Sequence, residues 1–254
     1  MSEFDRNIAA RGGFAGRAAA VDAGLRAYML RVYNYMAAAV ALSGVAAWAT
    51  YQAAGGDAIR HVPGGIAGLT PFGQTLFGPL MMVLMLGTLG LVFFISFRIN
   101  RLQFSTAAAL FAIYAALLGV TLAPIFVTYT GASVTRVFFI SAASFGALSL
   151  YGYTTPRDLS AMGSFLVMGV FGLILASLVN FIWPSGALSF AISVIGVGVF
   201  AGLTAYDTQR IKEMYNSMDD DGTMGRKAIM GALSLYLDFI NLFLMLLRLV
   251  GDRR

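Results

Sequence analysis

Cysteine is absent from the 254 residues, histidine occurs once, and only 11% of the chain is charged. Without cysteine there is no disulfide framework, no thiolate metal site and no cysteine nucleophile. With a single imidazole as well, a transition-metal centre has almost no nitrogen or sulfur donors to draw on. The charged fraction is less than half of the roughly one quarter usual in soluble domains, which excludes a water-soluble enzyme. No Walker loop or dinucleotide fingerprint occurs. The net charge of +5 does not point to nucleic acid, because the basic residues lie in short loops between apolar blocks. There they orient helices in a bilayer.

What fills the chain is apolar: 59% hydrophobic residues and a mean hydropathy of +0.78. Seven blocks run over Ala27–Thr50, Thr75–Phe97, Phe104–Tyr129, Val137–Thr155, Ala161–Trp183, Ala187–Asp207 and Lys227–Val250. Most are close to the ~20 residues that cross a bilayer as a helix. Lipid requires each backbone polar group to be satisfied within a helix or a closed barrel. The ten-residue alternation of a barrel is missing, so the expected fold is an all-α polytopic membrane protein with seven transmembrane helices. Residues 1–26 are polar, basic and lack the apolar core of a signal peptide. They are expected to remain as a cytosolic N-terminal tail, followed by one membrane domain over 27–251 and a short C-terminal tail, 252–254.

Orientation follows from counting lysine and arginine on each side. With the N-terminus in the cytoplasm, the inner side holds Arg6, Arg11, Arg17, Arg26, Arg31, Arg98, Arg101, Arg157, Arg210, Lys212, Arg226 and Lys227. The outer side holds Arg60, Arg136, Arg248, Arg253 and Arg254. That bias favours a cytoplasmic N-terminus and places Trp48 and Trp183 at outer helix ends, where an aromatic belt forms. The three arginines near the C-terminus argue the other way for the last segment, which either crosses or re-enters. His61 reads as a solvated loop residue. Small residues at Gly198 and Gly202, and at Gly87, Gly90, Gly169 and Gly172, read as points of close helix approach.

Ten of the twelve acidic residues fall in tails or loops. The Asp219-Asp220-Asp221 run lacks the spaced oxygens and distal glutamate of an EF-hand and reads as a turn. The other two are Asp207, in TAYDTQR, and Asp238, in SLYLDFINLF. Asp238 lies eleven residues into the seventh block, about 16 Å deep, where a carboxylate costs several kcal/mol unless it finds a partner or water. If the sixth helix ends near Asn216 and the seventh starts near Met224, Asp207 and Asp238 differ in height by about 8 Å. Tilt and side-chain reach close that gap. Two carboxylates in one low-dielectric site do not both ionise cheaply; they share a proton and titrate as a unit. They also offer paired oxygens to a hard cation such as calcium, held transiently. Arg98, Arg101 and Arg210 are the cations placed to compete, and Asn241, three residues beyond Asp238, can bond either protonation state.

The stretches YTTPRDLSAMGSFL, TAYDTQRIK and ALSLYLDFINLFLMLLRLVG resemble the Bax inhibitor-1 family, bacterial branch, over roughly residues 27–250. The resemblance implies six helices surrounding a central seventh, and a pH-sensitive calcium leak governed by an aspartate pair and an arginine latch. By that resemblance Asp207 and Asp238 are the pair, and Arg101, ahead of Arg98, is the latch. The second span carries no carboxylate of its own. The expected protein is thus a non-enzymatic, calcium-permeable leak channel of the bacterial inner membrane, without a cofactor, whose partners are lipid, calcium and protons.

Three other functions compete. An intramembrane aspartyl protease also uses paired carboxylates, but its Gly-x-Gly-Asp is replaced here by Leu235-Tyr236-Leu237-Asp238. A proton-coupled transporter would show repeats or matching broken spans, and neither is evident. A membrane regulator would bind a quality-control protease or another membrane protein through residues 1–26.

Overall fold

The computed structural model describes residues 3–62 and 65–254, with side chains from 22–59 and 66–254. Among the described residues seven helices are long and apolar enough to cross a membrane. They are α1 (Glu3–Ala54), α2 (Pro71–Arg101), α3 (Phe104–Thr128), α4 (Gly131–Thr154), α5 (Ser160–Ile182), α6 (Gly186–Glu213) and α7 (Asp221–Val250). The apolar part of α1 begins at Asp22, so helix runs without interruption through the segment expected to be a tail. The side chains of residues 1–21, and of His61, lie outside the described residues. A short hairpin, β1 (Arg60–Val62) against β2 (Gly65–Ala67), joins α1 to α2.

The loops set the helix starts by capping. Thr70, Thr130 and Ser185 accept hydrogen bonds from the backbone N–H three residues on, at the heads of α2, α4 and α6; Asp220 does the same for α7. Each satisfies a donor that the first turn leaves free. Breaks follow proline: α2 is interrupted at Gly78-Pro79, and α3 bends at Ala123-Pro124 and ends at Thr128. Proline supplies no N–H to the helical ladder and clashes with the preceding turn.

The last helix is the most enclosed. Of its apolar window 61% is buried, against 33% or less for each of the others. Its main neighbours are α6, α1, α4 and α3, while α2 rests chiefly on α3 and α5 on α6. Exposed side chains on the outer pair, such as Met82, Met85 and Leu86 of α2 and Phe165, Met168 and Phe171 of α5, face the lipid. Because lipid tails are as apolar as the side chains, close packing rather than water exclusion holds such helices together. Two glycines permit that approach. A Cβ at Gly119 would strike the backbone of Ser43 in α1, and one at Gly152 would strike the Ala205 carbonyl in α6. Of the small residues singled out in the sequence, Gly202 meets Leu166 and Gly169 meets Val199. Gly87, Gly90, Gly172 and Gly198 have open space where a Cβ would stand, so among the described residues they mark no close helix approach.

The C-terminus is tied to the face that carries the α1–α2 hairpin. Asp252 accepts from Thr130 N–H through its carbonyl and donates its own N–H to Ser133 Oγ at 2.8 Å. Arg254 donates to the Tyr51 hydroxyl at 3.0 Å and pairs with Asp57 at 3.7 Å. The seventh helix therefore crosses rather than re-enters, and its arginine-bearing end shares a face with Trp48 and Trp183. The cross-membrane path outweighs the local charge because a long apolar helix has no turn at which to double back.

Candidate functional site

The antiparallel register of α6 and α7 brings Asp207 and Asp238 together. The helices end and begin at Glu213 and Asp221, three residues earlier than the sequence suggests. Lys227 Nζ donates to the Met214 carbonyl at 2.9 Å, and Gly231 lies against Ile211. Continuing that register brings Asp238 to within about one helical turn of Asp207, and the two carboxyls come within side-chain hydrogen-bonding reach. The first turns of α7 overhang the end of α6, which is how residues about 26 Å and 9 Å along their helices come within a turn of each other. Asp238 is only 5% exposed, and its Oδ2 has no hydrogen-bond partner among the described residues. Asp207 is half-buried. For the two carboxyls to bond, one must carry a proton, since an ionised carboxylate only accepts.

The helices that carry the pair are fixed by hydroxyl and amide bonds. Thr204 and Thr208, fully buried on either side of Asp207, donate to the carbonyls of Phe200 and Thr204. Thr208 Oγ1 also contacts Ser149 Oγ at 2.9 Å, and Ser149 contacts the Tyr33 hydroxyl at 2.7 Å, linking α6 through α4 to α1. Gln209 receives the Leu159 N–H and donates to the Arg157 carbonyl, both at 2.8 Å, pinning the α4–α5 loop to α6. On α7, Tyr236 is buried edge-on to Phe111, with its hydroxyl 2.6 Å from Ser43 Oγ. None of Ser43, Ser149, Thr208, Gln209 and Tyr236 was singled out from sequence. The polar run Thr204, Thr208, Gln209 and Lys212 around Asp207 is the signal that points to them.

The basic residues around the pair are divided in their engagements. Arg210 is exposed and is the cation whose charge bears on Asp207. Arg98 and Arg101, at the end of α2, are exposed and form no ion pair among the described residues, although the turn that holds Arg101 packs on α7. Lys212 donates to the Tyr153 carbonyl at 2.9 Å, and Lys227 pairs with Asp219 at 2.6 Å. Asn241 donates to the Leu237 carbonyl of its own helix rather than to the carboxyls. On the same face but outside the spans, Asp158 and Asp220 are held below the ordinary carboxylate range by bonds from Ser160 and Thr223 respectively.

Chemically, the pair can hold a proton or meet a passing cation. Among the described residues no group of three histidine, cysteine, aspartate or glutamate side chains could hold a metal ion. Two carboxyls alone fall short of the six to eight oxygens around a resident calcium.

A multi-pass membrane protein of seven helices, with an acid pair between the last two, is the class that fold and site define. Over residues 25–254 the chain matches the family described as inhibitor of apoptosis-promoting Bax1. It belongs to this Bax inhibitor-1 family. The chain is 50% identical over 233 residues to protein RP147 of Rickettsia prowazekii, covering 92% of each. It is 45% identical over 234 residues to inner membrane protein YbhL of Escherichia coli K12, covering 91% of this chain and 94% of YbhL. A Caulobacter vibrioides protein is 45% identical over 259 residues, spanning the whole of both chains.

Proposed function

We propose that the protein is a pH-sensitive, calcium-permeable leak channel in which Asp207 and Asp238 form a proton-sharing gate. The observation that carries this reading is the contact between the two carboxyls, with one oxygen of Asp238 buried and unpartnered among the described residues of an apolar bundle. An intramembrane carboxylate in that condition is costly, and such residues mark ion and proton pathways. Arg101 serves as the latch, competing with cations for the carboxyls from the turn that packs on α7. Protonation weakens its hold and also weakens cation binding, so the gate reading demands a pH dependence whatever its sign. The protein is read as neither an enzyme nor a cofactor carrier. The naming of YbhL as an inner membrane protein supports a bacterial inner membrane. The charge bias supports a cytoplasmic N-terminus.

The test is calcium entry into dye-loaded liposomes carrying the purified protein, at pH 6 and pH 8, beside Asp207→Asn and Asp238→Asn. The proposal expects a flux whose pH dependence disappears in either variant. No flux above empty liposomes in any sample would overturn the channel reading. A regulator of a membrane protease would then be tested by removing residues 1–26, and a transporter by proton movement without calcium.

A further inference from the structure

α1 and α4 both pack on α7 but scarcely on each other. The opening between them, on the face where α6 ends and α7 begins, is a crevice of about 570 Å³. Its walls are two facing helical stripes. Arg26, Leu30 and Tyr33 lie on α1; Gly146, Ser149 and Tyr153 lie on α4. The α1 stripe runs seven residues, about 10 Å. Leu30 and Gly146 are exposed sideways, toward the bilayer, so the crevice opens to lipid along its length.

Its polarity is graded. Arg26 stands at the outer end, exposed and without an ion pair among the described residues; Asp22, one turn earlier, is exposed nearby. At the same end Lys212 sits 5.3 Å from the Tyr153 ring centroid, adding a second cation. The sides are apolar, with Met29, Phe145 and Leu150 completing them. The inner wall is the hydroxyl run from Tyr33 to Ser149 to Thr208. A cationic mouth at a helix end above an apolar slot open to the bilayer matches one molecule: phosphate at the mouth, acyl chain in the slot. Basic pockets between transmembrane helices bind lipid headgroups by this chemistry, and the volume lies within the range of formed ligand sites.

We propose that this crevice is a phospholipid site, with the lipid phosphate on Arg26 and one acyl chain along Leu30 and Gly146. It is separate from the carboxyl pair and does not depend on the channel reading. Among the described residues a Cβ at Gly146 meets nothing within 4 Å, so the side chain of Gly146→Leu has room to enter the slot.

The experiment reconstitutes the full chain in phosphatidylcholine vesicles with a phosphatidylglycerol probe bearing a photoreactive diazirine on one acyl chain, and maps the labelled residues by mass spectrometry. Labelling is expected to concentrate on the crevice and to fall about fivefold or more in Gly146→Leu, with labelling of exposed α5 around Phe171 unchanged. Arg26→Gln is expected to lower crevice labelling by a smaller factor. A thermal melt confirms that both variants fold. Even labelling of all exposed helices, or crevice labelling unchanged in Gly146→Leu, overturns the site. Unchanged labelling in Arg26→Gln overturns the assigned phosphate contact.

Discussion

Two groups of acidic residues show what surroundings do to a carboxylate. At the C-terminal face, Asp57 pairs with Arg254 and Asp252 with Arg136, with 89% and 61% of the acidic side chains exposed. Inside the bundle, Asp207 and Asp238 face each other, and no cation pairs with either within 4 Å among the described residues. The exposed pairs sit in water, where an ion pair is worth little and is screened. The inner two sit where ionisation is costly and each partner changes the other's protonation. The first arrangement fastens the C-terminus; the second sets two carboxyls where they can share a proton.

The largest expected effect comes from separating the helices that hold the inner pair. Gly152→Leu drives a side chain into the Ala205 carbonyl, two residues before Asp207. Overpacking of this kind costs about 2–3 kcal/mol. Thermal unfolding in detergent should show the loss, while Gly146→Leu on the same helix should leave stability nearly unchanged. Next is Tyr236→Phe, which removes the hydroxyl contact to Ser43 while Ser43 keeps its bond to the Ala115 carbonyl. About 1 kcal/mol is expected, the net contribution of one buried hydrogen bond. A cost above about 3 kcal/mol would mean that the aromatic packing, not the bond, has been disturbed.

The outer face should respond less. Arg136→Gln is expected to cost under about 1 kcal/mol, and the difference should shrink at high salt. A large, salt-independent loss would erase the contrast between the two acid groups. The smallest effect is local. Asp220 titrates below its ordinary value because the N–H and hydroxyl of Thr223 bond its ionised form. The folded value is depressed, so this capping contribution is present above the unfolded value and is lost as pH falls through the folded one. Protection from hydrogen exchange at the first turn of α7, taken relative to the intrinsic rate at each pH, should therefore fall in acid, and less so in Asp220→Asn, which keeps an acceptor but does not titrate.

Much of this was legible in the sequence. The seven spans are visible because a bilayer demands long apolar blocks, and Asp238 stands out because carboxylates are rare inside them. The meeting of Asp207 with Asp238 was less legible. Helix ends estimated at Asn216 and Met224 fall at Glu213 and Asp221, and the overhang of α7 depends on tertiary contacts such as Lys227 with Met214. Gln209 and Lys212 were hidden because their partners are backbone carbonyls 52 and 59 residues away. Gly152 was hidden as well. Close approach depends on what lies opposite, so the recognisable Gly198–Gly202 spacing misleads at Gly198 while an unremarked glycine makes the contact.

The central claim is that Asp207 and Asp238 act as one titrating unit. Its most direct test is a double-mutant cycle on the pH dependence of calcium flux, using Asp207→Asn, Asp238→Asn and the double variant in the same liposomes. A shared proton predicts strong non-additivity: each single variant abolishes the pH dependence, and the double variant adds nothing further. Independent, additive effects of the two substitutions would contradict the claim.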